Sequence, residues 1–229
     1  MPASSPDSVA VLTYFDGRGH GERVRYALAA GGVPYRESLL TKSGDVDAVR
    51  ARCAYGQVPL LEMPCGARVV QSYAIVRYLG ATAGPPPPAG AEHMADAALE
   101  QVRDFVTEAG FVGYGWQADE ASKAAALDKV RAAAARYLPT FERALAAEGG
   151  RSVAGGDQLC WADFQLLYAL DYSCELLGEG VLHTAPLCAA LRAALRALPR
   201  MAAFYASGAK PLVTPQYIRE VREAQLPRE

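Results

Sequence analysis

The sequence is poor in what would mark a metal, secreted or nucleic-acid-binding protein. Three histidines and five cysteines occur in 229 residues. The cysteines (Cys53, Cys65, Cys160, Cys174 and Cys188) form no C-x-x-C pair, so neither a zinc site nor a disulfide framework is expected, and no metal. An odd count without a secretion signal fits a reducing compartment, and all five read as small, buried or half-buried apolar residues. Basic residues are scattered and the formal net charge is −2, which argues against nucleic acid as a partner. No apolar run is long enough and free enough of Arg or Glu to span a bilayer. The opening MPASSPDS has neither a basic end nor an apolar core, so it reads as a disordered lead-in rather than a signal peptide, and the expected location is cytoplasmic.

What remains falls into two regimes. In the first third, strands and helices alternate. Val9 to Phe15 is an apolar, β-branched run that reads as a buried strand. Glycines 17, 19 and 21 interrupt it, a helix follows over Glu22 to Ala30, and Gly31-Gly32 ends that helix. A second strand is predicted over Pro34 to Leu40, completing a βαβ unit with a parallel pair. A weak helix near Asp45 to Arg52 comes next, then strands at Leu60 to Glu62 and Arg68 to Val70 around the turn Pro64-Cys65-Gly66, and a helix from Ser72 to about Leu79. The four prolines after Gly84 cannot continue a helix and mark a boundary. Beyond them alanine, leucine and charges recur at helical spacing, as in Leu187, Leu191, Leu195 and Leu198. Helices are expected near 91–116, 119–147, 160–177, 186–197, 199–206 and 215–224. The predicted organisation is a βαβ–ββα domain over 8–83, a proline-rich linker over 84–91 and an all-α domain over 92–229.

Four segments then narrow the family. Tyr14-Phe15-Asp16-Gly17-Arg18-Gly19, with Glu22 and Arg25-Tyr26, resembles the first-strand signature of the tyrosine-type cytosolic glutathione transferases of the alpha, mu, pi and sigma classes. Tyr55-Gly56-Gln57-Val58-Pro59-Leu60-Leu61-Glu62 is similar to their approach to the third strand. Gln71-Ser72-Tyr73-Ala74-Ile75-Val76-Arg77-Tyr78-Leu79 is similar to the helix after the fourth strand. Gly155 to Leu166 resembles their turn into a central helix. The four fall in order across nearly the whole chain. The resemblance implies an α/β thioredoxin-like first domain, an all-α second domain, glutathione as co-substrate and a homodimer.

The reaction it implies needs a thiolate, because a neutral thiol is a poor nucleophile. By resemblance Tyr14 donates its hydroxyl to that sulfur and favours the charged form. A thiol pKa lowered by ~2 units from about 8.5 raises the ionised fraction near pH 7 roughly 25-fold. Nucleophilicity falls along with the pKa, at a Brønsted slope of ~0.4–0.5, so the net gain is only a few-fold. Most of the rate must come from holding both reactants in an attack geometry.

The clamp implied by the resemblance follows glutathione's own groups. Gln71 and Ser72 open a helix whose N-terminus suits the γ-glutamyl carboxylate. Val58 before Pro59, with that bond expected cis, presents its backbone to the cysteinyl segment, with Gln57 beside it. Arg50 is matched to the glycine carboxylate, and Asp104 to the ammonium of glutathione in the partner subunit. Arg18 and His20 are candidates to support the thiolate. An arginine is common in the family where His20 stands, and a neutral histidine supplies less positive potential. Phe15, Phe111 and Tyr114 are candidate walls for a small apolar electrophile, with Val213 to Ile218 as a lid, and Tyr55 is the aromatic key of a dimer. Cys160 stands where Ser or Thr opens the helix-entry box, a loss of ~0.5–2 kcal/mol of capping. The activity implied is glutathione conjugation, with peroxide reduction as an accessory. The alternatives are a non-catalytic carrier of the ligandin or crystallin kind and a glutathione-dependent lipid isomerase.

Overall fold

The computed structural model describes residues 9–40, 43–111, 119–208, 210 and 218–219. The elements run β1 (Ala10–Phe15), α1 (Gly21–Gly31), β2 (Tyr35–Leu40), α2 (Ser43–Arg50), β3 (Leu60–Glu62), β4 (Arg68–Val70) and α3 (Ser72–Thr82). The helices α4 (Glu92–Ala109), α5 (Glu120–Ala147), α6 (Trp161–Leu177), α7 (Pro186–Arg196) and α8 (Pro199–Ala206) follow. No helix among the described residues is long and apolar enough to cross a membrane.

The sheet order is β2-β1-β3-β4. β1 and β2 are parallel, with Tyr14 opposite Leu39, because α1 supplies the crossover between them. β3 lies antiparallel to β1 and β4 antiparallel to β3, as their tight turn requires. Gly32 adopts φ +60° and ends α1, a left-handed cap that glycine takes without penalty. This is the thioredoxin-like arrangement, with the helical domain packed against it.

α6 is buried along almost its whole length and forms the centre of the second domain, with α1, α4, α5 and α7 packed around it. Asp171 on α6 collects four donors. Tyr26 Oη (2.8 Å) comes from α1, Arg192 Nε (2.7 Å) and Arg196 Nη1 (2.8 Å) from α7, and Tyr205 Oη (2.5 Å) from α8. A single carboxylate thereby ties four helices together.

Residues 83–91 carry neither helix nor strand. The Trp161 backbone N–H donates to the Pro85 carbonyl at 2.8 Å, and the indole lies on Gly80 so closely that a Cβ there would stand 2.6 Å from the ring. The first turn of α6 is thus docked on the end of α3 and on the proline segment.

Two expectations change. α4 stops at Ala109 rather than 116, because Gly110 takes φ +67° and its N–H returns to the last turn. At Cys160 the entry motif is not weakened as the missing hydroxyl suggests. The Asp163 carboxylate accepts from the Cys160 N–H at 2.7 Å and the Val153 N–H at 2.8 Å. Ser152 donates its hydroxyl to the same carboxylate at 2.8 Å. The Cys160 sulfur itself accepts the Asp163 backbone N–H, so the reciprocal cap is complete, and Ser152 steadies its carboxylate. Of the predicted helix over 215–224, all but residues 218 and 219 lie outside the described residues, and those two are helical.

Candidate active site

The site grows from the end of β1. Tyr14 is 4% exposed, and its ring shares a small core with Phe15, Leu40 and Leu60, against which Val58 packs. Its hydroxyl accepts the His20 backbone N–H at 2.9 Å. That bond uses one lone pair of the phenolic oxygen and fixes where the hydroxyl stands. The ring is held from the other side by Gly21, where a Cβ would stand 2.6 Å from Tyr14 Cδ1. Glycine is required there by close approach, and the requirement is invisible in the residue pattern.

The β1–α1 loop is fixed by Arg25. This buried guanidinium donates to the Gly17 carbonyl (3.0 Å), to Glu22 (2.8 Å) and to Glu37 (2.7 Å). Burial pushes the Glu22 carboxyl up while Arg25 pulls it down. Asp16, in the same loop, pairs with Lys210 at 2.8 Å, which brings the chain after α8 against the site.

The structure brings most of the predicted clamp together. The Val58–Pro59 bond is cis. Gln71 donates its side-chain amide to Gln57, so the segment before β3 and the start of α3 meet. Gln71 itself has φ +70°, a left-handed conformation in a non-glycine residue. Such strain, of order 1–3 kcal/mol, persists only where the surroundings enforce it. It turns the chain so that α3 starts at Ser72, itself buried. Arg50 donates to the Gly56 carbonyl at 3.2 Å and pairs with Asp47 at 3.6 Å, which places it beside the Gln57–Val58 loop. Asp104 is exposed on α4.

Other predicted residues are used differently. Arg18 pairs with Glu175 on α6 and donates to the Lys210 carbonyl at 2.7 Å, so its charge is already matched. His20 is exposed at its residue surface, yet desolvation and then the Arg23 charge push its pKa down to about 4, leaving the ring neutral near pH 7. Phe111 is 1% exposed, stacked on Tyr172 at 4.7 Å and edge-on to Phe105 at 5.4 Å. Phe111 packs within an aromatic cluster, and Phe15 is 5% exposed in the small core with Tyr14, Leu40 and Leu60. Tyr114 and residues 213–217 of the expected lid lie outside the described residues. Tyr55 is 72% exposed in the loop before β3.

A hydroxyl-bearing tyrosine at the end of β1, a cis-proline loop and a strained helix entry are collected on one thioredoxin-like domain. The comparisons agree with that class. The glutathione S-transferase N-terminal domain model matches residues 10–81 and the C-terminal domain model residues 103–208. Glutathione S-transferase A3 of Mus musculus is 33% identical over 204 residues, covering 87% of this chain and 90% of that protein. Glutathione S-transferase A1 of Bos taurus is 31% identical, covering 93% and 96%. The crystal structure of the glutathione S-transferase from Ascaris lumbricoides matches with a TM-score of 0.74 at 30% identity, covering 90% of this chain and all of that one. The structure of prostaglandin synthase D of Nilaparvata lugens matches at 0.70 and 26%, covering 89% and 100%. The chain belongs to the glutathione S-transferase family.

Proposed function

We propose that this protein conjugates the thiolate of glutathione to small apolar electrophiles and that Tyr14 activates the thiol. The observation that carries the reading is the bond from the His20 N–H to the Tyr14 hydroxyl, on a ring held between Gly21 and the sheet. A phenol positioned by that bond can donate to the glutathione sulfur. Donation to the charged form lowers the thiol pKa. The thiol proton passes to solvent, the sulfur lone pair forms the new S–C bond, and a leaving group such as a halide departs with its bonding electrons.

Holding glutathione falls to Gln71 and Ser72 for the γ-glutamyl end, to Val58, Pro59 and Gln57 for the cysteinyl backbone, and to Arg50 for the glycine carboxylate. The helix dipole and open N–H groups at the start of α3 favour a carboxylate there. In this reading the protein is a cytoplasmic homodimer. Tyr55 inserts into the partner, Asp104 serves the partner's glutathione, and the domains span 8–83 and 92–229 around the 84–91 linker. A second reading, a glutathione-dependent lipid isomerase, draws on the likeness to the Nilaparvata lugens enzyme.

Conjugation to an aryl chloride tests the activity, and tight glutathione binding without turnover would overturn it in favour of a carrier. The ultraviolet difference spectrum of bound thiolate tests Tyr14. Tyr14→Phe should raise the apparent thiol pKa by ~2 units, and an unchanged value would remove Tyr14 from the role.

A further inference from the structure

Arg23 on α1 is 1% exposed, and none of its three guanidinium nitrogens has a hydrogen-bond partner. The guanidinium lies 4.1 Å from the Tyr73 ring centroid on α3 and 5.5 Å from that of Tyr168 on α6. The hydroxyls of both tyrosines are buried without hydrogen-bond partners as well. Two aromatic faces offset part of the cost of burying a cation. They do not cancel its charge, as a carboxylate does.

The neighbouring cations differ in this respect. Arg18 is matched by Glu175, Arg25 by Glu22 and Glu37, and Lys210 by Asp16 and Glu37. Arg103 of α4, 5.7 Å from the Tyr73 ring centroid, is matched by Glu100. Among the described residues Arg23 has no acidic partner. It is tied to the site through two neighbours. It follows His20 by one helical turn, and the His20 N–H holds the Tyr14 hydroxyl. Its closer aromatic partner, Tyr73, directly follows Ser72. After desolvation, the Arg23 charge is the second cause that keeps the His20 ring neutral. His20 therefore brings no charge of its own near pH 7.

We infer that Arg23 is the fixed cation of the glutathione site, a positioning residue whose uncompensated charge favours thiolate over thiol without touching the sulfur. This rests on Tyr14 marking the thiol site. In a low-dielectric interior an unmatched charge acts over a longer range than in water. The titratable and charged groups facing it are His20 on α1, Tyr73 on α3, Arg103 with Glu100 on α4, and Tyr168 on α6, with the buried Glu22, itself paired to Arg25, also acting on Tyr168. Burial pushes the Tyr168 hydroxyl up to about 12, and the Tyr73 pKa is raised for the same reason, so neither phenol supplies an anion near pH 7.

The test is the apparent pKa of enzyme-bound glutathione, read from thiolate absorbance, in the wild type, Arg23→Met, Arg23→Lys and Tyr14→Phe. Arg23→Met should raise that pKa by ~1 unit, up to a tenfold loss of thiolate at acidic pH. The rate deficit should disappear at alkaline pH, and Arg23→Lys should restore most of the shift. A wild-type pKa and pH–rate profile in folded Arg23→Met would overturn the inference. Should that variant not fold, Arg23→Gln is measured in the same way. Failure of both neutral variants to fold would make Arg23 purely structural and also overturn it. A Tyr14→Phe variant with unchanged thiol pKa would instead sink the reading of the site. A shift in Tyr14→Phe but none in Arg23→Met would sink only the role of Arg23.

Discussion

Gly21 lies directly against the ring of Tyr14, with no room for a methyl group between them, since a Cβ would come within 2.6 Å of Cδ1. Gly21→Ala should therefore move the tyrosine. Alanine is the better helix former by ~1 kcal/mol, but overpacking a rigid ring costs ~1–3 kcal/mol. The expected result is a small net loss of stability with a fall in conjugation rate of up to about 100-fold, the penalty for roughly 1 Å of misplacement. Steady-state kinetics beside thermal unfolding separate the two effects, and an unchanged rate would show that Tyr14 tolerates displacement.

His20 predicts a pH dependence. Its folded pKa of about 4 lies below its ordinary value of 6.5. Between these values the unfolded chain binds the proton and the folded chain does not, so stability rises with pH across the window and falls as pH drops from 6.5 towards 4. His20→Gln should flatten that part of the stability curve. In an NMR titration of the wild type, the His20 ring should remain neutral well below pH 6. A midpoint near 6.5 would contradict the environment described.

Gly80 carries the contact between α3 and Trp161. Gly80→Val should force the indole away and destabilise the protein by ~1–3 kcal/mol, with a red shift of Trp161 fluorescence as the ring gains water. Urea unfolding measures the first effect. A silent substitution would mean that the docking of the first turn of α6 is not needed for stability.

Asp171 serves Tyr26, Arg192, Arg196 and Tyr205 at once. Asp171→Asn keeps the shape but removes the charge that two arginines meet. A loss of about 3 kcal/mol is expected, as when one partner of a buried ion pair is removed. Glutathione affinity should change little, because the hub lies among α1, α6, α7 and α8 rather than at the clamp. Denaturant midpoints and binding isotherms together check both parts.

Much of the framework was legible in the chain. β3 and β4 fall on the predicted residues, and α1 ends at the predicted glycine pair, because apolar periodicity and turn chemistry act locally. α4 was drawn too long because a single Gly110 outweighed the helical pattern on either side of it. Arg18, a candidate to support the thiolate, meets Glu175 in three dimensions, 157 residues away. Phe15 and Phe111 looked equally suited to a pocket wall or a core, since an aromatic residue does not reveal in sequence which other rings surround it.

The return to Tyr14 shows where the division falls. The sequence by itself determined the strand that ends one residue beyond it, the glycine-rich break that follows, the proline after Val58 and the all-helical second half. Each depends on residues within a few positions of one another. Only the tertiary structure decided that Gly21 braces the Tyr14 ring, that Gln71 takes a left-handed turn beside Gln57, and that Arg23 is buried between Tyr73 and Tyr168 without a counter-charge. Those are contacts between different elements of the chain, and their energies depend on distance and solvent exclusion, which no local pattern records.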